Sequence, residues 1–67
     1  MKLLDVVALT EDMPDQGLTK GQVGTIVEQL ARDVYEVEFS RLDGKTYATA
    51  AVPVSRLIRL IHEPAAA

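Results

Sequence analysis

Three closely spaced glycines constrain the fold of this chain more than any other feature. Residues 17–28 read Gly-Leu-Thr-Lys-Gly-Gln-Val-Gly-Thr-Ile-Val-Glu, and the β-branched run 25–27 follows the last glycine at once. Because glycine reaches positive φ easily, Gly17, Gly21 and Gly24 fit turn geometry that leads into a strand. Phosphate-binding glycine loops lead instead into a helix N-terminus. The segment therefore predicts a small β-structure.

Apolar and β-branched runs predict five strands in the whole chain. The third shows the pattern most clearly, because Tyr35, Val37 and Phe39 alternate with Glu36 and Glu38. A period of two places one set in the core and the other in solvent. The fourth is rich in alanine, a weak strand former, and depends on tertiary pairing. The five strands are expected at residues 4–9, 25–30, 34–39, 46–52 and 58–62.

The connections between these strands indicate how the sheet is arranged. A long polar loop covers residues 10–20, and Asp43-Gly44 is typical of a turn between strands three and four. Pro53 ends the fourth strand because proline has no N–H for the ladder. Residues 54–57 suit one 3₁₀ turn, which lets the last strand leave the meander and pair with the first.

This layout predicts an all-β fold, a small five-stranded SH3-like barrel with a 3₁₀ turn before the last strand. The barrel is expected to cover residues 1–62, with residues 63–67 as a flexible C-terminal tail. The alternative is an open five-stranded sheet that completes its core by dimerising.

Size and charge narrow the classes of function. The chain has 67 residues and no cysteine, so it forms one small domain without a disulfide or thiolate metal site. Its net charge is −3 and its basic residues are scattered, whereas nucleic-acid binding depends on clustered cations. Apolar runs fall well short of the ~20 residues that span a bilayer. Asp5 interrupts the start of the chain, which disfavours a signal peptide. We expect a cytoplasmic protein with no membrane partner.

The sequence lacks a constellation for catalysis. His62 is the one histidine, and no serine or threonine has a plausible base. Glu11, Asp12 and Asp15 lack the alternating ligand spacing of a calcium loop. Three aromatic residues are too few for a groove that grips proline-rich peptides. We therefore expect no enzyme activity, metal, cofactor or small-molecule substrate.

Acidic residues form two candidate surfaces for a basic partner. Glu11, Asp12 and Asp15 cluster in the long loop, where the alternative is a solvated loop. A second group stands on neighbouring strands, where the alternative is a charged exterior that keeps the sheet soluble. This second group consists of Glu28, Glu36 and Glu38.

Surplus apolar residues form a third candidate surface. Strands alternate faces, so a barrel this small cannot bury every large apolar side chain. We expect an exposed apolar patch where the first and last strands meet, with Leu9 and Ile61 in it. Ordinary scatter of exposed leucines is the alternative. The surplus residues are Leu3, Leu9, Leu18, Leu42, Val54, Ile58 and Ile61.

The block at residues 20–27, Lys-Gly-Gln-Val-Gly-Thr-Ile-Val, resembles the Gly-x-x-Gly-x-Val core of KOW-type segments. It also resembles the SH3-like domains of nitrile hydratase β subunits. The glycines that shape the turn in KOW segments would here be Gly21 and Gly24. The resemblance implies two alternatives, a nucleic-acid-binding module or an accessory barrel of a larger complex. The basic loops of ribosomal and transcription KOW proteins are missing from this chain.

A second resemblance covers nearly the whole chain. Its matching blocks are residues 3–9, Gly-Leu-x-x-Gly-x-x-Gly-Thr-Ile-Val at 17–27, residues 34–39 and Leu57 before an apolar end. They are similar to a bacterial family of short stand-alone proteins known only as a domain of unknown function. Members of that family can lie beside genes for other small proteins, so the resemblance implies an antitoxin-like or immunity-like role. The sequence therefore predicts a small non-enzymatic protein-interaction module that binds a cognate protein or itself.

Overall fold

The computed structural model describes residues 1–40 and 47–61. The five strands there are β1 (Val6–Leu9), β2 (Val23–Ala31), β3 (Val34–Ser40), β4 (Tyr47–Pro53) and β5 (Leu57–Arg59). Two 3₁₀ turns are the only helical segments of the described part, at Pro14–Gln16 and Val54–Arg56. None of the helical segments in these residues is long and apolar enough to cross a membrane. The all-β prediction is confirmed.

All five strands form one antiparallel sheet in the order β4-β3-β2-β1-β5. The 3₁₀ turn at Val54–Arg56 carries the chain from one side of the sheet to the other, where β5 pairs with β1. This is the predicted SH3-like strand order. The sheet is not closed within residues 1–40 and 47–61, because β4 and β5 remain its two edges.

One face of the sheet forms the core. In β3, Tyr35, Val37 and Phe39 are buried while Glu38 is exposed, as the period of two predicts. Both edge strands contribute to the same buried cluster, so the sheet must curve around it. The cluster consists of Val7, Leu9, Leu18, Ile26, Tyr35, Val37, Phe39, Ala50, Val52 and Leu57.

The glycines serve two different purposes. Gly17 and Gly21 have φ of 68° and 87°, the left-handed region that turns require. Gly24 has no positive φ, but a Cβ there would lie 2.7 Å from Val37 Cγ1 and 2.8 Å from the Glu38 carbonyl oxygen. Only glycine lets β2 and β3 approach so closely. The turn prediction is confirmed for the first two, and Gly24 is required by packing. Gly44 lies outside the described residues.

The long loop is folded onto one end of the sheet. Met13 and Leu18 exchange backbone hydrogen bonds of 2.9 and 3.0 Å around the first 3₁₀ turn. Their pairing places Leu18 in the core, where it is buried. The loop therefore closes one open end of the core instead of extending into solvent.

Three strands differ from the predicted bounds by two residues or more at one end, and β3 and β4 differ by one residue. Leu4 has φ 72°, which a strand cannot accommodate, so β1 begins at Val6 instead of residue 4. The Leu9 N–H donates to the Gln22 carbonyl oxygen at 3.0 Å, which lengthens the pairing and starts β2 at Val23. β5 covers Leu57–Arg59 and not 58–62. His62 and the predicted tail at 63–67 lie outside the described residues.

Candidate interaction surface

The structure brings the three strand glutamates together on the outer face of the sheet. Glu36 and Glu38 alternate with the buried residues of β3, and Glu28 on β2 is the direct cross-strand partner of Glu36. Like charges directly opposite each other destabilise a sheet. No lysine or arginine of the described part forms an ion pair with any of the three. The result is a stripe of carboxylates, hereafter the glutamate stripe.

The loop acids are arranged differently, since two of the three bind within the chain. Glu11 forms an ion pair with Arg56 at 3.5 Å between Oε2 and Nε. The Asp12 Oδ1 accepts a 2.7 Å hydrogen bond from the Lys20 N–H. Asp15 is exposed in the first 3₁₀ turn. Glu11 therefore ties the loop to the second 3₁₀ turn and Asp12 bonds within the loop, so the three acids do not form a continuous free surface.

Of the two residues placed in the predicted apolar patch, one is exposed and the other is buried. Leu9 is 2% exposed and belongs to the core, because its side chain faces inward beside Leu57. This corrects its assignment to an exposed patch. Ile61 is 72% exposed, as expected, and Ile58 is 55% exposed. On the outer face, Ala8 pairs with Ile58 on one side and with Val23 on the other, so the three residues form an apolar row.

The free edge of β4 is a feature that the sequence reasoning missed. The Val54 N–H donates to the Asp33 carbonyl oxygen at 2.8 Å, which makes 33 and 54 a hydrogen-bonded pair. Hydrogen-bonded and non-hydrogen-bonded pairs alternate along an antiparallel ladder. The N–H and C=O groups of Ala48, Ala50 and Val52 therefore point toward β3, as the register requires.

The groups at the positions in between point away from the sheet. Thr49 and Ala51 present their main-chain N–H and C=O groups along the outer edge of β4, and both residues are exposed. Within the described ranges, no strand pairs with this edge. An unpaired row of this kind is a template for another strand.

Within residues 47–53, β4 has almost none of the devices by which a strand protects its own edge. Its seven residues, Tyr-Ala-Thr-Ala-Ala-Val-Pro, carry no charge. Each of them pairs with β3 in unbroken register, so no bulge bends the strand away. Pro53 stands at the last position, where it removes one donor only. The absence of charge in residues 47–53 can be seen in the sequence, but whether that strand lies at the edge of the sheet depends on the strand order.

Comparisons with known proteins identify the family. The sequence model of a domain of unknown function, DUF4926, matches residues 3–59. The chain belongs to this family. The match extends from the residues before β1 to the last residue of β5, and so covers every strand described above. Neither the curated proteins nor the solved structures contain a significant match to the chain.

Proposed function

We propose that this chain is a small non-enzymatic protein-interaction module. It binds a partner protein when an extended segment of that partner pairs with the edge of β4. The observation that carries the proposal is the uncharged, unbulged edge whose N–H and C=O groups at Thr49 and Ala51 lack a strand in the described part of the chain. Strand addition uses main-chain hydrogen bonds for affinity and side-chain pockets for specificity.

The opposite edge supports binding less well. The Leu57 N–H is already bonded to the Val54 carbonyl oxygen, and β5 has only three residues. Its Arg59 forms an ion pair with Asp5 at 3.5 Å. Arg56 is likewise paired with Glu11, so these cations lie beside acids. That arrangement does not favour the nucleic-acid-binding alternative, which depends on unopposed clustered cations.

An antitoxin-like or immunity-like role is one biological setting for this activity. If a segment of another small protein pairs with the sheet of this chain, that segment is no longer available to bind the other protein's target. We would then expect a stoichiometric complex with one cognate protein. This role follows from the family resemblance and stays a prediction.

The test is affinity purification from the native host with three forms of the tagged chain. These are the wild type, Ala51→Pro at the β4 edge and Arg59→Ala at the β5 edge. Ala51→Pro removes an outward N–H and leaves the bonds to β3 in place. We expect the wild type and Arg59→Ala to retrieve the same stoichiometric protein, which Ala51→Pro loses while remaining folded by circular dichroism. Retention of that protein by Ala51→Pro, or a wild type that is strictly monomeric and retrieves nothing, would contradict the proposal.

A further inference from the structure

The β4 edge lies beside the glutamate stripe, and this proximity sets a charge requirement on whatever binds there. We propose that the occupant of the β4 edge is an extended basic segment of a partner protein, with lysine or arginine at alternate positions. This inference rests on the proposed function, because it presumes that β4 accepts a strand.

The hydrogen-bonding phase of β4 determines which side chains of an added strand reach the outer face. In an antiparallel addition, the incoming residues that bond to Thr49 and Ala51 lie directly opposite them. Directly opposite residues place their side chains on the same face of a sheet. Both Thr49 and Ala51 are on the outer face, because Ala50 between them is buried in the core. Two alternate incoming side chains therefore point to the outer face.

The glutamates lie in the same two rows of the sheet. Ala51 is the cross-strand partner of Glu36, and Thr49 is the partner of Glu38. Adjacent strands are about 4.8 Å apart, so β3 lies about 9.6 Å from an added strand. Lysine and arginine can lay their aliphatic stems across small residues and carry the charge beyond them. The two small side chains of β4 leave the path to the carboxylates open.

The incoming residue between the two basic ones faces the other way. It lies beside Ala50 on the core side, at the open margin of the buried cluster. An alanine there leaves room for a larger apolar side chain, which would extend the core under the added strand. The edge therefore selects the pattern basic, apolar, basic.

A second copy of this chain fits the same edge less well. Antiparallel pairing of β4 with its own copy about Ala50 would place Thr49 opposite Ala51 of the second chain, which is sterically acceptable. The paired residues 47–53 would supply no cation to Glu36 or Glu38, and the pairing would bring together two chains of net charge −3. Charge complementarity therefore favours a basic segment over self-association.

Capped synthetic peptides of the length of β4 test this inference by fluorescence anisotropy at low salt. One alternates lysine with valine, a second alternates threonine with valine, and a third alternates glutamate with valine. We expect the lysine peptide to bind about ten-fold more tightly than the threonine peptide, from two exposed ion pairs. The glutamate peptide should not bind. Added salt should reduce the difference between the first two peptides.

Paired variants separate the charge from the edge. Glu36→Gln with Glu38→Gln should weaken the lysine peptide about five- to ten-fold and leave the threonine peptide unchanged. The matched control, Glu11→Gln with Asp15→Asn, changes the net charge equally and should leave both affinities unchanged. Ala51→Pro should abolish binding of both peptides. The melting temperature of each variant shows that it is folded.

Four outcomes would overturn the inference, and they differ in what survives. Equal binding of the lysine and threonine peptides, both lost in Ala51→Pro, would contradict the charge requirement and leave strand addition standing. A loss of lysine-peptide affinity as large in the loop control as in the stripe variant would show nonspecific attraction. A dimer that Ala51→Pro dissociates would identify a second copy as the occupant. No binding of any peptide to the folded wild type would contradict both the inference and strand addition at β4.

Discussion

The two edge strands of this sheet present very different surfaces to a second chain. β4 has seven residues in unbroken register with β3 and carries no charge. β5 has three residues, one of which is Arg59, and its Leu57 N–H is consumed by the preceding 3₁₀ turn. The Leu60 N–H donates to the Val6 carbonyl oxygen, so the N–H groups of Ile58 and Leu60 point toward β1. Within β5, Arg59 therefore contributes the one N–H that points outward and is not already bonded.

The difference in length and charge between β4 and β5 indicates that the fold does not by itself protect both of its edge strands. A short, charged edge is a common way to prevent unwanted pairing. β5 has both features, and β4, in the same sheet, has neither. Within residues 1–40 and 47–61, this contrast between the two edges supports the proposed binding of a strand at β4.

Gly24→Val should destabilise the whole sheet, including both edge strands, because it disrupts the packing of β2 against β3. Its Cβ would meet Val37 Cγ1 and the Glu38 carbonyl oxygen at 2.7 and 2.8 Å, and backbone cannot move aside cheaply. Overpacking of this kind costs about 3 kcal/mol. Thermal unfolding should show a melting temperature lower by more than about 10 °C. The neighbouring Thr25→Val is the control, with a change within about 0.5 kcal/mol. Equal melting temperatures for the two variants would contradict the close packing of β2 on β3.

A proline at Ala50 and one at Ala51 should differ although the positions are adjacent. The Ala50 N–H points toward β3, so Ala50→Pro leaves a buried carbonyl unpaired at a cost of about 1–3 kcal/mol. The Ala51 N–H points outward, and Ala51→Pro should cost under about 1 kcal/mol. Denaturant unfolding measures both. Similar losses for the two variants would mean that the phase of the ladder is wrong.

Ala51→Lys should make β4 resemble β5. The new ammonium would lie directly opposite Glu36, where a cross-strand pair contributes about 0.2–1 kcal/mol. The same charge protects the edge and repels a basic segment. We expect higher stability in low salt, with the gain lost at high salt, together with weaker binding of the lysine peptide. An unchanged affinity for the lysine peptide would mean that a peptide bound at β4 does not interact with the glutamate stripe.

Arg59→Ala should have the smallest effect. Arg59 is more than half exposed, and the Asp5 carboxylate, which is only 10% exposed, keeps a 3.0 Å hydrogen bond from the Lys2 N–H, so the loss should be about 0.5 kcal/mol. The variant removes the only charge of β5, but the edge still offers one N–H and three residues. Light scattering should therefore show no self-association. An oligomer formed by Arg59→Ala alone would indicate that charge, and not length, protects this edge.

Local patterns predicted the strands and their faces, because alternation and turn residues act over a few positions. The burial of Tyr35, Val37 and Phe39 opposite exposed Glu38 follows from a period of two. The juxtaposition of Glu28 and Glu36 depends on register and on a bulge between Ile26 and Glu28, which no local pattern specifies. Composition cannot tell which of several leucines a sheet turns inward, and Leu9, expected at the surface, lies in the core. The free edge of β4 required the complete strand order.

The ladder phase of β4 also has a consequence for amide hydrogen exchange. The amides of Ala48, Ala50 and Val52 are bonded to β3 and should exchange slowly, whereas those of Thr49 and Ala51 should exchange at rates near those of an unstructured chain. Protection along this one strand should therefore alternate residue by residue in the free protein. Docking of a segment would slow the two fast amides and remove the alternation, so exchange at Thr49 and Ala51 reports directly on whether the edge is occupied.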